Sequence, residues 1–181
     1  MPSLESLTDA LHKAHADETS LPPVERWSPA LSGDLDMRIA RDGRWFYLGS
    51  EITRAPLVKL FSTILKREDD DYFLVTPVEK WRIQVDDLPF VALSVERVDD
   101  ALVFTTNIGS TVVANAEHPL TVETDAHTGE PHPRLRVRSN LDALVHRNAF
   151  YQLVEWAQDV DGRLQVRSQG VDFDLGALDD D

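Results

Sequence analysis

The fold is decided by a stretch of 39 residues, 49–87, which reads GSEITRAPLVKLFSTILKREDDDYFLVTPVEKWRIQVDD. Part of its pattern returns 93 positions later in the chain. An apolar, strand-like run precedes the repeated block in both copies, and an acidic turn and a second strand-like run follow it. The sequence therefore predicts a chain built from two related units. The aligned residues are Ile52, Arg54, Leu57, Val58, Leu60 and Phe61 over Val145, Arg147, Phe150, Tyr151, Leu153 and Val154.

The composition is that of an ordinary globular protein. Of the 181 residues, 42% are hydrophobic and 28% are charged, which is enough for one core or two small ones. No apolar run approaches the roughly 18 to 20 residues that cross a bilayer, and the N-terminus has no basic segment followed by an apolar stretch. We expect a soluble, cytoplasmic protein.

Cysteine content and net charge exclude several classes of site and partner. The chain has no cysteine, which rules out disulfides, thiolate zinc sites, iron–sulfur clusters and cysteine nucleophiles. The formal net charge of -14 opposes binding to nucleic acid or to anionic membranes. We therefore expect no nucleic acid and no membrane among the partners.

Periodicity predicts an α+β fold of two tandem related units, mostly antiparallel sheet with one main helix each. The best seam between the units is the acidic, proline-containing stretch 86–89. The predicted parts are an N-terminal helix and linker over 1–21, a first unit over 22–88, a second over 89–176 and an acidic tail over 177–181.

The main helix of each unit is marked by apolar residues three and four apart. In the first unit we predict a helix over 54–67, capped by Thr53 and closed by Lys66 and Arg67. In the second unit the helix starts at Asp142 or Arg147 and runs to Asp159.

Catalytic signatures are lacking in the sequence. Neither the glycine-rich loops of nucleotide-binding enzymes nor the G-x-S-x-G elbow occurs, so a non-enzymatic role is favoured, and no catalytic residue or cofactor is predicted. The loop 125–132 gathers two carboxylates and two imidazoles, which raises the hypothesis of a metal-dependent hydrolase. This hypothesis is the weakest, because an exposed loop does not hold ligands in fixed geometry, and no metal ligand is predicted.

Two arginines occupy equivalent places at the starts of the two predicted helices. Free N–H groups and the helix dipole favour an anion there, so Arg54 and Arg147 are candidates to clamp a phosphate or carboxylate. The alternative is that each forms an internal ion pair, with Asp86, Asp87 or Glu51 as partners.

Two loops provide further candidate ligand-binding residues. The segment 76–80 (TPVEK) places a hydroxyl, a carboxylate and an ammonium beside the strand-breaking Pro77. It is either a ligand-binding turn or a turn between strands whose charges face water. The segment 107–110 (NIGS) is predicted to form a turn; the alternative is that the Asn107 amide contacts a polar ligand.

Taken together, these stretches resemble the bacterial domain-of-unknown-function family 1285 (DUF1285). The resemblance covers about 22–175 and departs at Gly109-Ser110, where the family is expected to carry an acidic residue. The matching segments include 45–50 (WFYLGS), 57–65 (LVKLFSTIL), 72–80 (YFLVTPVEK), 86–90 (DDLPF) and 150–155 (FYQLVE).

The resemblance implies a duplicated α+β core, a second unit loosely like a pleckstrin-homology fold, and a groove between the units proposed to hold a nucleotide-like ligand. It also implies a signalling role without an established activity. The residues expected near that groove are Arg54, Thr76, Glu79, Lys80, Asn107 and Arg147.

The leading hypothesis is a non-enzymatic cytoplasmic sensor that binds a small anionic, nucleotide-like ligand between its units and signals to an unidentified protein. Arg54, Lys80 and Arg147 would neutralise the ligand, and Thr76 or Asn107 would donate hydrogen bonds to it. The alternatives are a protein-interaction adaptor without a ligand, in which those cations are paired internally, and the metal-dependent hydrolase.

Overall fold

The computed structural model describes residues 21–177, and its chain divides into two compact units between Asp86 and Asp87. The helix predicted within 1–21 and residues 178–181 of the predicted acidic tail lie outside the described residues. Among residues 21–177, no helix has the length and apolar character needed to span a membrane.

The first unit contains one helix and six strands, which follow a short 3₁₀ turn at Val24–Arg26. The strands form a single sheet in the order β3-β2-β1-β6-β5-β4. Neighbours within it are antiparallel except β1 and β6, which run parallel. The elements are β1 Gly33–Ile39, β2 Trp45–Tyr47, β3 Ser50–Glu51, α1 Ala55–Ser62, β4 Leu65–Glu68, β5 Asp71–Val75 and β6 Lys80–Val85.

The helix of the first unit is shorter than predicted. It ends at Ser62, and Lys66 and Arg67 lie in β4 instead of closing the helix. The hydroxyls of Ser62 and Thr63 donate to carbonyls three residues earlier, in the last turn of α1. Ile64 and Leu65 satisfy the helical spacing but are fully buried at the start of a hairpin, so tertiary pairing overrides the local pattern.

The N-terminus of α1 also differs from the prediction by one residue. Arg54 is the N-cap, and its side chain makes no capping hydrogen bond, so Thr53 is not the cap. Pro56 stands in the first turn, where the missing N–H has no helical partner to lose.

The second unit has nine strands and one helix. Six strands form a sheet in the order β10-β11-β12-β7-β8-β9, in which only β12 and β7 are parallel. The other three form a separate antiparallel sheet. The elements are β7 Phe90–Val98, β8 Ala101–Thr106, β9 Thr111–Val113, β10 Leu120–Thr124, β11 Pro131–Arg138, β12 Leu141–Val145, α2 Arg147–Trp156, β13 Gln158–Val160, β14 Arg163–Ser168 and β15 Val171–Ala177.

Helix α2 starts at Arg147, the second of the two predicted starts, because residues 141–145 form β12. The chain is α+β with two tandem related units, mostly antiparallel sheet and one helix in each. The loose likeness of the second unit to a pleckstrin-homology fold stays a prediction.

The internal repeat extends from the helices into the meanders that follow them. Phe73 pairs with Arg82 across β5 and β6, and Gln165 pairs with Asp174 across β14 and β15, 92 positions later. The shift is 93 in the helices, so the second copy has one residue fewer before its meander. In the first unit this meander joins the main sheet, whereas in the second it forms the separate three-stranded sheet.

A buried serine joins this separate sheet to the rest of the second unit. Ser168 is fully buried, and its hydroxyl accepts a hydrogen bond from the Leu102 amide (2.8 Å) and donates one to the Ala114 carbonyl (2.6 Å). Both partners therefore depend on one oxygen atom.

Replacing this oxygen should destabilise the protein measurably. We expect Ser168→Ala to lower the free energy of unfolding by about 1–3 kcal/mol, because a buried N–H and a buried C=O lose their partner. Urea denaturation measures the change. Ser94→Ala, at an exposed position in β7, is the control and should change stability by less than about 0.5 kcal/mol. Equal effects of the two substitutions would contradict the bridging role.

Candidate functional site

The guanidinium of Arg54 stands at the start of α1. Its backbone is extended (φ -79°, ψ 102°), as an N-cap requires, and the residue is exposed. Within residues 21–177 its side chain forms no ion pair. In the first turn, Pro56 has no N–H, and the amides of Leu57 and Val58 donate to the Arg54 carbonyl. An anion at this position would therefore meet the guanidinium, the Ala55 amide and the positive end of the helix dipole.

Arg147 holds the corresponding position as the first residue of α2. The preceding residue, His146, is the N-cap, and its Nδ1 accepts a hydrogen bond from the Asn148 amide (3.2 Å). Arg147 is exposed and, in the part of the chain that the structure describes, has no carboxylate partner. Two of the acidic residues considered as ion-pair partners of the arginines are engaged elsewhere. Asp86 pairs with Arg38, and Asp87 pairs with His132.

Asn107 and Arg147 lie at the same end of the second sheet. Val145 pairs with Ala92, and Ala92 pairs with Thr106, so the ends of β12 and β8 flank β7. The next residues of both strands bond to β7: the Asn107 amide donates to the Val91 carbonyl (2.8 Å) and the His146 amide to the Ala92 carbonyl (2.9 Å). The side-chain oxygen of Asn107 accepts from the Val91 amide (3.0 Å), which fixes the turn.

Thr76 organises the turn between β5 and β6. It is almost fully buried, and its hydroxyl oxygen accepts hydrogen bonds from the amides of Val78 (3.3 Å) and Glu79 (3.0 Å). The Thr76 amide in turn donates to the Glu79 carbonyl (2.9 Å). The hydroxyl therefore stabilises the turn, and Val78 stands at its tip with 78% of its surface exposed.

Lys80 belongs to a cluster that the sequence did not reveal. Its ammonium lies 2.5 Å from one carboxylate oxygen of Glu68, and the ammonium of Lys66 lies 3.8 Å from the other. Lys66 also donates a hydrogen bond to the Trp27 carbonyl (3.0 Å). The hydrogen bond from Lys80, with the charges of Lys80 and Lys66, holds the pKa of Glu68 below its usual value despite partial desolvation.

This cluster lies on the charged face of the first sheet. Lys66, Phe73 and Arg82 are direct cross-strand neighbours on β4, β5 and β6. The Lys80 ammonium lies 4.6 Å, and the Arg82 guanidinium carbon 5.7 Å, from the centre of the Phe73 ring. These distances permit cation–π attraction, so the buried ring supports both cations.

The loop that suggested a metal site does not gather its side chains. One Asp125 oxygen accepts hydrogen bonds from the amides of Thr128 and His127, which lower the pKa of Asp125, while His132 lies 2.9 Å from Asp87. Among residues 21–177, no three His, Cys, Asp or Glu side chains are grouped closely enough to hold a metal ion. The hydrolase hypothesis therefore has no ligand cluster within the described chain.

The six predicted residues thus fall in three places. Arg54 is at the start of α1, Thr76, Glu79 and Lys80 share the β5–β6 turn, and Asn107 and Arg147 share one end of the second sheet. Sequence reasoning missed the Lys66–Glu68 pair because it placed Lys66 at the end of a helix over 54–67. The available signal was the acidic run 69–71, because aspartates favour turns and this one joins β4 to β5.

The Glu68 cluster predicts a component of acid sensitivity. The folded-state pKa of Glu68 lies below the unfolded value of about 4.3, so the stabilising contribution is complete above that value and is lost as pH falls through the folded pKa. We expect Glu68→Gln to flatten the dependence of unfolding free energy on pH between roughly pH 5 and 3. Chemical denaturation at several pH values measures this. Glu51→Gln, in exposed strand β3, is the control, and an unchanged slope for Glu68→Gln would refute the assignment.

Comparison with known proteins identifies the family. The N-terminal domain model of a domain of unknown function, DUF1285, matches residues 22–88, and the C-terminal domain model of the same family matches 89–175. A crystal structure of a DUF1285 family protein from Silicibacter pomeroyi DSS-3 is 43% identical, covers 98% of this chain and 97% of its own, and has a TM-score of 0.85. Another, from Shewanella baltica OS155, is 31% identical, covers 67% of this chain and 91% of its own, and has a TM-score of 0.54. No curated protein matches the chain. Since the two models together span nearly the whole described chain, the protein belongs to the DUF1285 family.

Proposed function

We propose that the protein is a non-enzymatic signalling or sensor module that binds a small anionic, nucleotide-like ligand. The observation that carries this proposal is the state of Arg54 and Arg147. Each stands exposed at the start of its unit's helix without an ion pair among residues 21–177.

The two arginines contrast with most basic residues on the strands. Most strand cations have a carboxylate partner, as expected for a chain with a large negative charge. An exception is Arg97 of β7, which lies over the Trp156 ring and has no ion pair among residues 21–177. The paired strand residues are Arg38, Lys66, Arg67, Lys80, Arg82, Arg134, Arg136, Arg163 and Arg167. A guanidinium without such a partner, beside the N–H groups of a helix start, is suited to bind phosphate or carboxylate.

The sensing role is inferred from the chemistry of anion binding. An anion that binds one conformation more tightly than another shifts the population toward it. In the second unit, Asn107 lies at the same sheet end as Arg147 and supports a contact to a polar ligand group. In the first unit, Lys80 and Glu79 follow the turn that Thr76 organises.

A protein-interaction adaptor without a small ligand is the second candidate. It is favoured by the internal engagement of Lys80 with Glu68, of Thr76 with its own turn, and of Asn107 with β7. Under this hypothesis, the arginines at the helix starts contact a protein partner, and no small anion stabilises the fold.

A thermal-shift panel separates the two candidates. Nucleotides, cyclic dinucleotides and divalent metals are added to the wild type, Arg54→Ala and Arg147→Ala. A ligand at one hundred times its Kd should stabilise the wild type by about 2.7 kcal/mol. Loss of one guanidinium should weaken binding and reduce the stabilisation.

Lys59→Ala is the matched control, since Lys59 is an exposed cation on α1 away from the helix start. It should retain the full ligand response. A panel in which no anion stabilises the wild type would contradict the sensor proposal and favour the adaptor. If Lys59→Ala loses as much of the ligand-induced stabilisation as Arg54→Ala and Arg147→Ala do, the effect is one of overall charge and the two arginines are not a specific site.

A further inference from the structure

We propose that Lys66 and Lys80 form a phosphate-binding site on the first sheet, in which the carboxylate of Glu68 occupies the ligand's place. The proposal rests on the proposed function, because it assigns a phosphate group of the anionic ligand to a defined position. It adds Lys66, which the sequence analysis treated only as a residue that closes a helix, and it gives Glu68 a role as an internal competitor.

Two ammonium groups share one carboxylate in this cluster. Lys80 binds one oxygen of Glu68 at 2.5 Å, and Lys66 is 3.8 Å from the other. The remaining described partner of the Lys66 ammonium is neutral, the Trp27 carbonyl at 3.0 Å. The three charged groups therefore leave one positive charge in excess.

The excess charge lies in a poorly solvated place. The side chain of Lys66 is 8% exposed and that of Lys80 is 17% exposed, while that of Glu68 is 36% exposed. Charges removed from water interact more strongly than exposed ones, because the effective dielectric constant is lower. An anion with more than one charge would balance the two ammonium groups better than a single carboxylate does.

The two ion pairs of Arg82 have the same arrangement, with the cation less exposed than the acid. Arg82 is 42% exposed, whereas its partners Asp34 and Asp71 are 74% and 60% exposed. The Nε atom of Arg82 is buried and, within the described residues, has no hydrogen-bond acceptor. Around Arg82, the carboxylates are therefore the more exposed members of the ion pairs, which solvent reaches and screens.

Glu68 is suited to be displaced. It lies on the edge strand β4, two residues from Lys66, and its exposure lets the side chain turn into solvent without burying a charge. Lysine binds phosphate as a point charge, so two ammonium groups favour a phosphate over a planar carboxylate. The ligand class is thus a compound that carries a phosphate group. The two lysines and Glu68 do not determine the rest of the ligand.

Anion rescue tests this site with inorganic phosphate as the probe. The full chain is compared as wild type, Glu68→Ala and the double variant Glu68→Ala/Lys80→Ala, in phosphate and in sodium chloride of equal ionic strength. Without phosphate, Glu68→Ala should melt below the wild type because the ammonium groups have lost their counter-charge. Phosphate should raise its melting temperature more than that of the wild type, with a Kd at least tenfold lower, and the double variant should lose this gain.

Glu68→Gln is the second variant, because it keeps the size of the side chain and should fold even if Glu68→Ala does not. Its phosphate Kd, measured by calorimetry, should also fall below that of the wild type. Equal phosphate responses in the wild type, the Glu68 variants and the double variant would overturn the site.

The two proposals fail in different ways. If Arg54→Ala or Arg147→Ala abolishes the response to nucleotides while Lys80→Ala and Lys66→Ala leave it unchanged, this site is refuted and the sensor proposal stands. If phosphate rescues Glu68→Ala but no nucleotide stabilises the wild type, the site is present and the sensor proposal is refuted.

Discussion

Each six-stranded sheet depends on a single parallel strand pair. All other neighbours within the sheets are antiparallel, so each sheet is two meanders joined at β1·β6 or at β12·β7. In the first unit, the joint places Asp34 of β1 beside Arg82 of β6, where the two form an ion pair. Arg38, also on β1, pairs with Asp86 just after β6. Without the parallel pair β1·β6, the two meanders of the first sheet would separate, and these ion pairs between β1 and the end of β6 would not form.

Ion pairing distinguishes most strand arginines from the arginines at the two helix starts. On the strands, most guanidinium groups are paired with carboxylates. In one such pair the signs are reversed between the copies of the repeat: Asp71 and Arg82 correspond to Arg163 and Asp174, 92 positions later. Ion pairs of this kind, mostly exposed, contribute little to stability individually. The helix starts carry an arginine in both copies without a described ion pair, and the proposed anion binding rests on this observation.

The sequence predicted the class of fold, the two units and the equivalence of Arg54 and Arg147, because periodicity and the repeat are local signals. It did not predict that Ile64 and Leu65 leave the helix, since their apolar spacing fits a helix as well as a strand. The Lys66–Glu68–Lys80 cluster and the pairing of Asp87 with His132 depend on contacts between distant parts of the chain. No pattern in the sequence shows which strands become neighbours.

The central claim, that one parallel pair joins the two meanders of each unit, is tested most directly by native-state hydrogen exchange. Amides in the paired segments of β1, β6, β7 and β12 should exchange only through global unfolding and should be among the slowest in the protein. Amides of the edge strands β3 and β9 should exchange faster through local opening. The account would be contradicted if the amides that join the parallel strands exchanged fast through local opening while the other amides of each meander exchanged slowly.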